Sequence, residues 1–167
     1  MKQIIQYLLF VFIMTFAINS KAIPTFFDQD SFQQIVNKKK DKSFMLLLWS
    51  LDCTKCIEDF SVVSNFHKDN PEVEIVLVST DEIIRLNEIS ALITKHNLND
   101  LEQWIFQSNK FQQLRHSIDP QWHGELPRSY FYSSGKQTGV FSGRIHKSEL
   151  DKWLMNQSKT ISRVKVQ

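Results

Sequence analysis

The chain has 167 residues, of which 42% are hydrophobic and 23% charged, ordinary values for a single domain with a packed core. Four glycines and four prolines exclude a collagen-like, linker or low-complexity protein. The formal net charge is +2, and both excess positive charges lie in the first 22 residues. The remainder is neutral and lacks the basic balance typical of nucleic-acid binding, so we expect no nucleic-acid partner.

The first 22 residues have the pattern of a secretory signal peptide. Lys2 precedes an almost wholly apolar run over 4–18, and Ser20 and Ala22 are the small residues expected before a cleavage point after Ala22. The run is shorter than the roughly 20 residues of a membrane-spanning helix. We therefore expect residues 23–167 to be exported, to the periplasm or another oxidising compartment, with an uncleaved membrane anchor as the alternative.

The rest of the chain alternates strand and helix patterns. Continuous apolar runs predict buried strands, and apolar residues spaced three or four apart predict helices. In chain order we expect helix 32–40, strand 43–49, helix 56–68, strand 73–79, helix 81–96, short strand 104–106, helix 109–118, loop 120–125, strands 128–132 and 138–142 joined by a turn at Gly135, and helix 147–157. Such βαβ units with a closing hairpin predict an α/β domain with a central mixed β-sheet flanked by helices.

Two local patterns carry further expectations. Lys38, Lys39 and Lys40 end the first helix, where positive charge suits the helix dipole, and we interpret them as a solvated helix end. In the helix predicted over 81–96, the apolar spacing turns Ile84 toward the core, together with Ile89, Leu92 and Ile93.

The strongest chemical signal is the pair Cys53 and Cys56, the only cysteines in the chain. They lie where a predicted buried strand passes into a helix, the context in which C-x-x-C indicates a redox pair. Cys53 would meet the unpaired N–H groups and the positive end of the helix, which favour a thiolate. Lys55 favours the thiolate as well, whereas Asp52 opposes it. The direction in which the pKa of the Cys53 thiol shifts therefore stays open.

A structural disulfide and a metal pair are the alternatives to a redox pair. A disulfide across four residues closes little chain entropy and is a poor structural constraint. A zinc site would need two further ligands, and the chain has no second cysteine pair and no His-x-x-x-His spacing. Both arguments favour redox chemistry at Cys53 and Cys56.

The stretch 44–56 resembles the active-site region of the thioredoxin superfamily, and its exported TlpA-like branch of thiol–disulfide oxidoreductases is the best match. Trp49 matches the first tryptophan of the family pattern Trp-x-x-Trp-Cys-x-x-Cys, and we expect it to pack under the active-site turn. Asp52 replaces the second tryptophan, and Lys55 replaces the usual proline before the second cysteine.

Two later segments extend the resemblance. Residues 76–81 resemble the next strand of the family with its closing aspartate, and 124–131 resemble the segment that holds its cis-proline. Residues 1–22 would then be the signal peptide, and 23–167 a thioredoxin-like domain whose core, about 26–157, the resemblance covers. The implied architecture is a thioredoxin-like fold with a cis-proline loop.

The resemblance implies a role for each cysteine and for one acid. Cys53 would be the attacking, more exposed thiol, Cys56 the resolving thiol, and the two would form the redox disulfide. Asp59 stands three residues after Cys56, on the same helical face, where the TlpA-like branch has a buried acid that exchanges a proton with the second cysteine. An exposed carboxylate at Asp59 is the alternative, and Glu58 competes for the role.

The resemblance also implies a substrate-binding loop. Pro127 would be the cis-proline, turning the backbone of Leu126 toward an incoming polypeptide; a trans proline at a strand start is the alternative. Trp122 would shape a substrate groove or pack in the core. His123 would lie at the rim of the site or on a surface loop, and Arg128 would pair with an acid or point to solvent.

These residues together predict an exported thiol–disulfide oxidoreductase with no organic cofactor. The resemblance implies that it reduces specific exported cysteine-containing proteins, such as apocytochromes c in cytochrome c maturation, and takes electrons from a membrane donor. Two other functions stay open. A thiol peroxidase would use the sequence over 50–53 with Arg128 as the helper arginine. A copper-binding or copper-chaperone protein on the same fold would use Cys53 and Cys56, with His123 as a candidate further ligand.

Overall fold

The computed structural model describes residues 23–107 and 110–164, with side chains described as far as residue 156. The expected signal peptide and its cleavage point after Ala22 lie outside the described residues. The elements are β1 (Thr25–Phe27), α1 (Ser31–Lys38), β2 (Ser43–Trp49), α2 (Thr54–Asp69), β3 (Glu74–Ser79), a 3₁₀ turn (Ile83–Arg85), α3 (Leu86–Lys95), β4 (Glu102–Phe106), α4 (Phe111–Ile118), β5 (Arg128–Ser133), β6 (Lys136–Ser142) and α5 (Lys147–Val164).

The strands form one mixed sheet in the order β1-β4-β3-β2-β5-β6. The pairs β1–β4, β4–β3 and β3–β2 are parallel, whereas β5 runs antiparallel to β2 and β6 antiparallel to β5. The mixed sheet predicted from the sequence is confirmed. The hairpin between β5 and β6 turns at Ser134 (φ +49°) and Gly135 (φ +73°), the left-handed pair of a tight two-residue turn.

Helices cover both faces of the sheet, and alternate side chains of β2 are therefore buried on opposite sides. One core cluster joins Met45, Leu47 and Trp49 to apolar residues of α2, α3 and α5. The other joins Phe44, Leu46 and Leu48 to apolar residues of α1 and α4. A strand buried on both faces reads as a continuous apolar run in the sequence, and this explains why β2 was predicted with its observed bounds.

The register of the sheet brings two loops together at one edge. The parallel strands β2, β3 and β4 all end at this carboxyl edge, and β5 begins there because it runs the other way. Leu48 pairs with Arg128, so the chain leaving β2 toward Cys53 lies beside the chain entering β5 from Pro127.

The opposite, amino edge of the sheet holds a buried lysine. The Lys39 side chain is 5% exposed, and its ammonium contacts the carboxylates of Glu74 at the start of β3 and Glu102 at the start of β4. Exposed Lys42 also contacts Glu74, and exposed Lys38 contacts Glu102. The interpretation of the lysine run as a solvated helix end is therefore wrong for Lys39, which joins α1 to two strands.

Three other expectations differ from the structure. Strand β1 was not predicted, because three residues carry too little pattern. The segment predicted as one helix over 81–96 begins with a 3₁₀ turn, and Ile84 is 84% exposed rather than turned inward. Helix α5 continues to Val164, beyond the predicted end at 157. Within residues 23–107 and 110–164, no helix has the length and hydrophobicity needed to cross a membrane.

Candidate active site

The two cysteines form a disulfide at the carboxyl edge of the sheet, with their Cα atoms 5.2 Å apart. Cys53 caps the N-terminus of α2, and its Sγ accepts a hydrogen bond of 3.1 Å from the backbone N–H of Cys56. Cys53 is partly exposed, while Cys56 lies in the first helical turn and is fully buried. This is the arrangement expected of an attacking and a resolving cysteine: one sulfur meets solvent and an N–H donor, and the other is shielded.

Asp81 fixes the loop that carries Cys53. This aspartate follows β3 and is 7% exposed. Its carboxylate accepts hydrogen bonds from the backbone N–H of Leu51 (2.9 Å) and from the hydroxyls of Ser50 (3.1 Å) and Ser79 (2.7 Å). Because Leu51 lies two residues before Cys53, these bonds tie the active-site loop to the end of the neighbouring strand.

Arg85 connects Asp81 to the exposed acid beside Cys53. Its Nη1 lies 3.3 Å from an Asp81 oxygen and 2.9 Å from an Asp52 oxygen, and its Nη2 lies 3.2 Å from Glu88. Asp52 is 79% exposed at its side chain and stands next to Cys53 in the chain. The guanidinium therefore partly neutralises the negative charge that would oppose a Cys53 thiolate.

Neutralising Arg85 is expected to make the Cys53 thiolate harder to form. In Arg85→Gln, Asp52 keeps its charge without a partner, and we expect alkylation of reduced Cys53 at pH 7 to slow about two- to threefold, a size typical of an exposed ion pair. Stopped-flow alkylation of the reduced protein measures this. In the double variant Asp52→Asn/Arg85→Gln the rate should return to that of the parent; a slow double variant would contradict this assignment.

Asp59 is a fully buried acid on the same face of α2 as Cys56, one turn further along. Its carboxylate accepts a hydrogen bond of 2.9 Å from the backbone N–H of Ile145 and faces Nε of Arg144 at 3.4 Å. Burial raises the pKa of the Asp59 carboxyl above its ordinary value, against the opposing effect of these two partners. Glu58, which competed for this role, is half-exposed and pairs with Arg144 at the surface.

The loop before β5 presents free backbone groups beside the disulfide loop. The peptide bond between Leu126 and Pro127 is cis, and Pro127 is buried while Leu126 is partly exposed. In the part of the chain that the structure describes, neither the N–H nor the C=O of Leu126 has a hydrogen-bond partner. The side chain of Leu126 packs against the core cluster that contains Cys56, as does that of Cys53.

Arg128 and Trp122 hold this loop in place. Arg128 contacts Asp119 (2.9 Å) and Glu125 (2.7 Å), at the two ends of the loop. Buried Tyr130 donates a hydrogen bond of 3.0 Å to the same Asp119 carboxylate. Trp122 is 4% exposed, and its Nε1 donates to the carbonyl of Glu125 at 2.9 Å. Both side chains therefore support the backbone that leads to Leu126.

Several solved structures are similar to this chain in fold. A secreted Mycobacterium tuberculosis disulfide oxidoreductase homologous to E. coli DsbE is 18% identical over 72% of this chain and 85% of its own, with a TM-score of 0.59. The chain has a thioredoxin-like fold. StoA from Bacillus subtilis is 16% identical, covering 70% of this chain and 84% of its own, with a TM-score of 0.52.

A thiol:disulfide interchange protein of the thioredoxin family from Chlorobium tepidum is 13% identical, covering 72% of this chain and 82% of its own, with a TM-score of 0.56. No family model matches the chain, and no curated protein sequence matches it. The thioredoxin-like fold expected from residues 44–56 and the two later segments is thus confirmed by structure at low sequence identity.

Two further residues considered from the sequence lie in the loop before β5 and at the start of β5. His123 is exposed, and its backbone N–H donates to Glu125. Across the described residues, no group of three or more His, Cys, Asp or Glu side chains is placed to hold a metal, and His123 does not form such a group with Cys53 and Cys56. Arg128 is bound to its acidic partners in the loop, and this differs from the role that a peroxidase would give it.

Sequence reasoning missed Arg85 and Arg144 as parts of this site. Arg85 stands four residues after Asp81, the spacing at which side chains on consecutive helical turns meet, so a local signal existed. Arg144 reaches Asp59 from 85 residues away, and no pattern within one sequence indicates such a pair.

Proposed function

We propose that this protein is a thiol–disulfide oxidoreductase that exchanges its Cys53–Cys56 pair with cysteines of other exported proteins. The carrying observation is the pair itself: a partly exposed Cys53 and a buried Cys56 at the start of α2, on the carboxyl edge of a thioredoxin-like sheet. Cys53 and Cys56 act as the catalytic cysteines, and Leu126, Pro127 and Trp122 form the substrate-binding loop.

The reaction runs through a mixed disulfide. The Cys53 thiolate attacks one sulfur of a substrate disulfide, forms a bond to it and releases the other sulfur as a thiolate. Cys56 then loses its proton and attacks Sγ of Cys53, which releases the second substrate thiol and leaves the Cys53–Cys56 disulfide. Two electrons pass from the dithiol to the substrate. The free N–H and C=O of Leu126 would pair with the main chain of the substrate beside its cysteine.

The proposal extends to a direction and a compartment. The predicted signal peptide over 1–22 supports export, and one of the similar structures belongs to a secreted disulfide oxidoreductase. The TlpA-like resemblance of 44–56 favours reduction of specific exported proteins, such as cytochrome c precursors, with re-reduction by a membrane electron donor of the thiol-reductase type.

The reduction potential of the Cys53–Cys56 pair tests the direction. The purified protein is equilibrated with glutathione buffers, and the reduced fraction is counted by the mass added on alkylation. A value near that of thioredoxin, about −270 mV, supports a reductase, whereas a value near about −120 mV identifies an oxidant. Absence of a Cys53–Cys56 bridge at every potential would contradict the proposed exchange reaction.

Asp59 is the acid that we assign to the proton on Cys56. Both side chains are fully buried, so water is a poor acceptor there, and a carboxyl whose pKa is raised is suited to take the proton during the resolving step. Asp59→Asn keeps an oxygen for the Ile145 N–H but removes the proton acceptor. We expect the resolving step to slow at least about tenfold at pH 7, measured by rapid quench of the mixed disulfide.

Asp59→Asn should slow the exchange reaction but stabilise the fold at neutral pH. Because the pKa of Asp59 is raised above 3.8, the native state keeps this proton to higher pH than the unfolded state. The free energy of unfolding therefore falls as pH rises from about 4 through the raised pKa. Asp59→Asn should remove this loss and raise the Tm at pH 7 by a few degrees, while the Tm values of the variant and the parent converge near pH 4.

If Asp59→Asn exchanges disulfides at the parent rate, the assignment of Asp59 as the proton acceptor is overturned.

A further inference from the structure

A cavity of about 380 Å³ opens beside the substrate-binding loop, on the face of the sheet opposite Cys56. Its apolar walls are three aromatic side chains, and its polar lining comes from a threonine, an arginine and a glycine: Phe106, Phe111, Trp122, Thr80, Arg115 and Gly124. We call it the Arg115 cavity. Its volume is within the range of small-ligand sites.

Arg115 has no hydrogen-bond or ion-pair partner for its guanidinium among the residues that the structure describes. The nearby acids of the loop are engaged elsewhere, because Asp119 and Glu125 both contact Arg128. The guanidinium carries five N–H donors in one plane, and a carboxylate that entered the open cavity would find them without a competing protein acceptor.

Gly124 makes room for this guanidinium. A Cβ at position 124 would stand 2.2 Å from Nη1 of Arg115, so a larger residue there would require the end of the arginine side chain to shift. The backbone of Gly124 has φ +102°, a conformation that other residues rarely adopt. The chain therefore keeps a position free of side chain where Arg115 lies against the loop.

Two walls of the cavity are hydrogen-bonded to the segments that lead to Cys53 and to Leu126. The backbone N–H of Thr80, on one wall, donates to the carbonyl of Trp49 (2.9 Å), four residues before Cys53. Trp122, on another wall, donates to the carbonyl of Glu125, next to Leu126. Gly124 and Trp122 stand two and four residues before Leu126, so the cavity borders the same loop that would bind the substrate.

We propose that the Arg115 cavity receives an aspartate or glutamate side chain of the polypeptide that exchanges disulfides with Cys53. This inference rests on the proposed function and names its substrate class: cysteine-containing segments with an acidic residue close to the cysteine. The planar guanidinium matches a carboxylate with two parallel hydrogen bonds, and the aromatic walls pack on the methylene groups of the acidic side chain.

Matched disulfide-linked peptides test the proposal. Each peptide has one cysteine and one glutamate at a position from four before to four after it, and its control has glutamine in place of the glutamate. The reduced protein reduces the peptide dimer to two thiols and becomes the Cys53–Cys56 disulfide. For at least one position we expect the second-order rate constant of this single-turnover reaction to be about tenfold or more higher for glutamate than for glutamine.

Variants of Arg115 assign that preference to the cavity. In Arg115→Gln the rate constant for the glutamate peptide should come within about twofold of that for its glutamine control. In Arg115→Lys a reduced preference for glutamate should remain. Lys40→Gln removes one positive charge at an exposed position on the opposite edge of the sheet and should keep the preference of the parent. Circular dichroism checks that each variant is folded.

The outcomes separate this inference from the proposed function. Efficient reduction of every peptide with no preference for glutamate overturns the Arg115 cavity as an acidic subsite and leaves the exchange reaction intact. A preference that persists in Arg115→Gln also overturns it. If the reduced protein reduces no peptide dimer and the oxidised protein oxidises no peptide thiol, the exchange reaction itself is overturned and the subsite with it.

Discussion

Replacing Cys56 by serine is expected to lower the rate of disulfide exchange about a thousandfold or more and to leave Cys53 joined to its substrate. Cys53 keeps its place at the N-terminus of α2 with the N–H of residue 56 facing its sulfur, so attack on a substrate disulfide still occurs. The second attack has no nucleophile. Loss of a reacting group of this kind removes several orders of magnitude in rate.

Mass spectrometry of the variant after mixing with an oxidised peptide measures the adduct. We expect one peptide per protein in Cys56→Ser and none in Cys53→Ser, although turnover is lost in both. The two serine variants form a matched pair because each keeps one thiol of the same motif. An adduct that accumulates on Cys56 in Cys53→Ser, but not on Cys53 in Cys56→Ser, would reverse the two roles.

Replacing Asp81 by alanine is expected to lower the free energy of unfolding by about 3 kcal/mol, roughly 6–12 °C in Tm. The carboxylate is almost fully buried and accepts bonds from the Leu51 N–H and from two serine hydroxyls, Ser50 and Ser79. Alanine leaves the partly buried Leu51 N–H and the buried Ser79 hydroxyl without this acceptor, and an unmatched buried donor costs far more than an exposed one. Urea unfolding of the oxidised protein measures the change.

Glu88→Ala is the matched control for Asp81→Ala. Glu88 also contacts Arg85, but its side chain is 61% exposed, so we expect a change in unfolding free energy within about 0.5 kcal/mol. The comparison separates loss of the buried loop anchor from loss of a charge near Arg85. Equal effects of the two substitutions would show that Asp81 does not anchor the active-site loop.

The sheet was predictable from the sequence because its central strands are buried on both faces. Runs such as Ser43–Trp49 are apolar throughout and leave little choice of element. The Cys53–Cys56 pair was equally evident, since spacing and context are local properties. Strand β1 was not predictable, because its three residues are defined by pairing with β4, about 80 residues away.

Charged residues were harder to place than apolar ones. The three lysines before β2 have identical side chains, yet only Lys39 is buried, because the first residues of β3 and β4 are glutamates that face it. Ile84 is exposed because a 3₁₀ turn precedes α3 and shifts the helical register assumed from the spacing. In both cases the tertiary structure, through an ionic partner or a turn, determines whether the side chain is buried.

The geometry around Asp59 and Arg128 also depended on distant residues. The sequence suggested a buried acid at Asp59 by resemblance, and the structure places it against Ile145 and Arg144 from the segment before α5. The sequence left open whether Arg128 pairs with an acid or points to solvent. In the structure it pairs with Asp119, at the start of the loop. Single-sequence patterns carry no information on such pairs.

Acid affects the stability of the two ends of the sheet in opposite directions, and buried Lys39 is the reason at the amino edge. Burial alone would raise the pKa of Glu74 and Glu102, but contact with Lys39 holds the pKa of both carboxyls below their usual range. Their contribution to stability is therefore present above about pH 4.5 and is lost as the pH falls. Asp59, at the disulfide end, is relieved of its buried charge by the same protonation. Acid therefore weakens the ion pairs at the end of the sheet remote from the disulfide, while it removes an unfavourable buried charge one helical turn from Cys56.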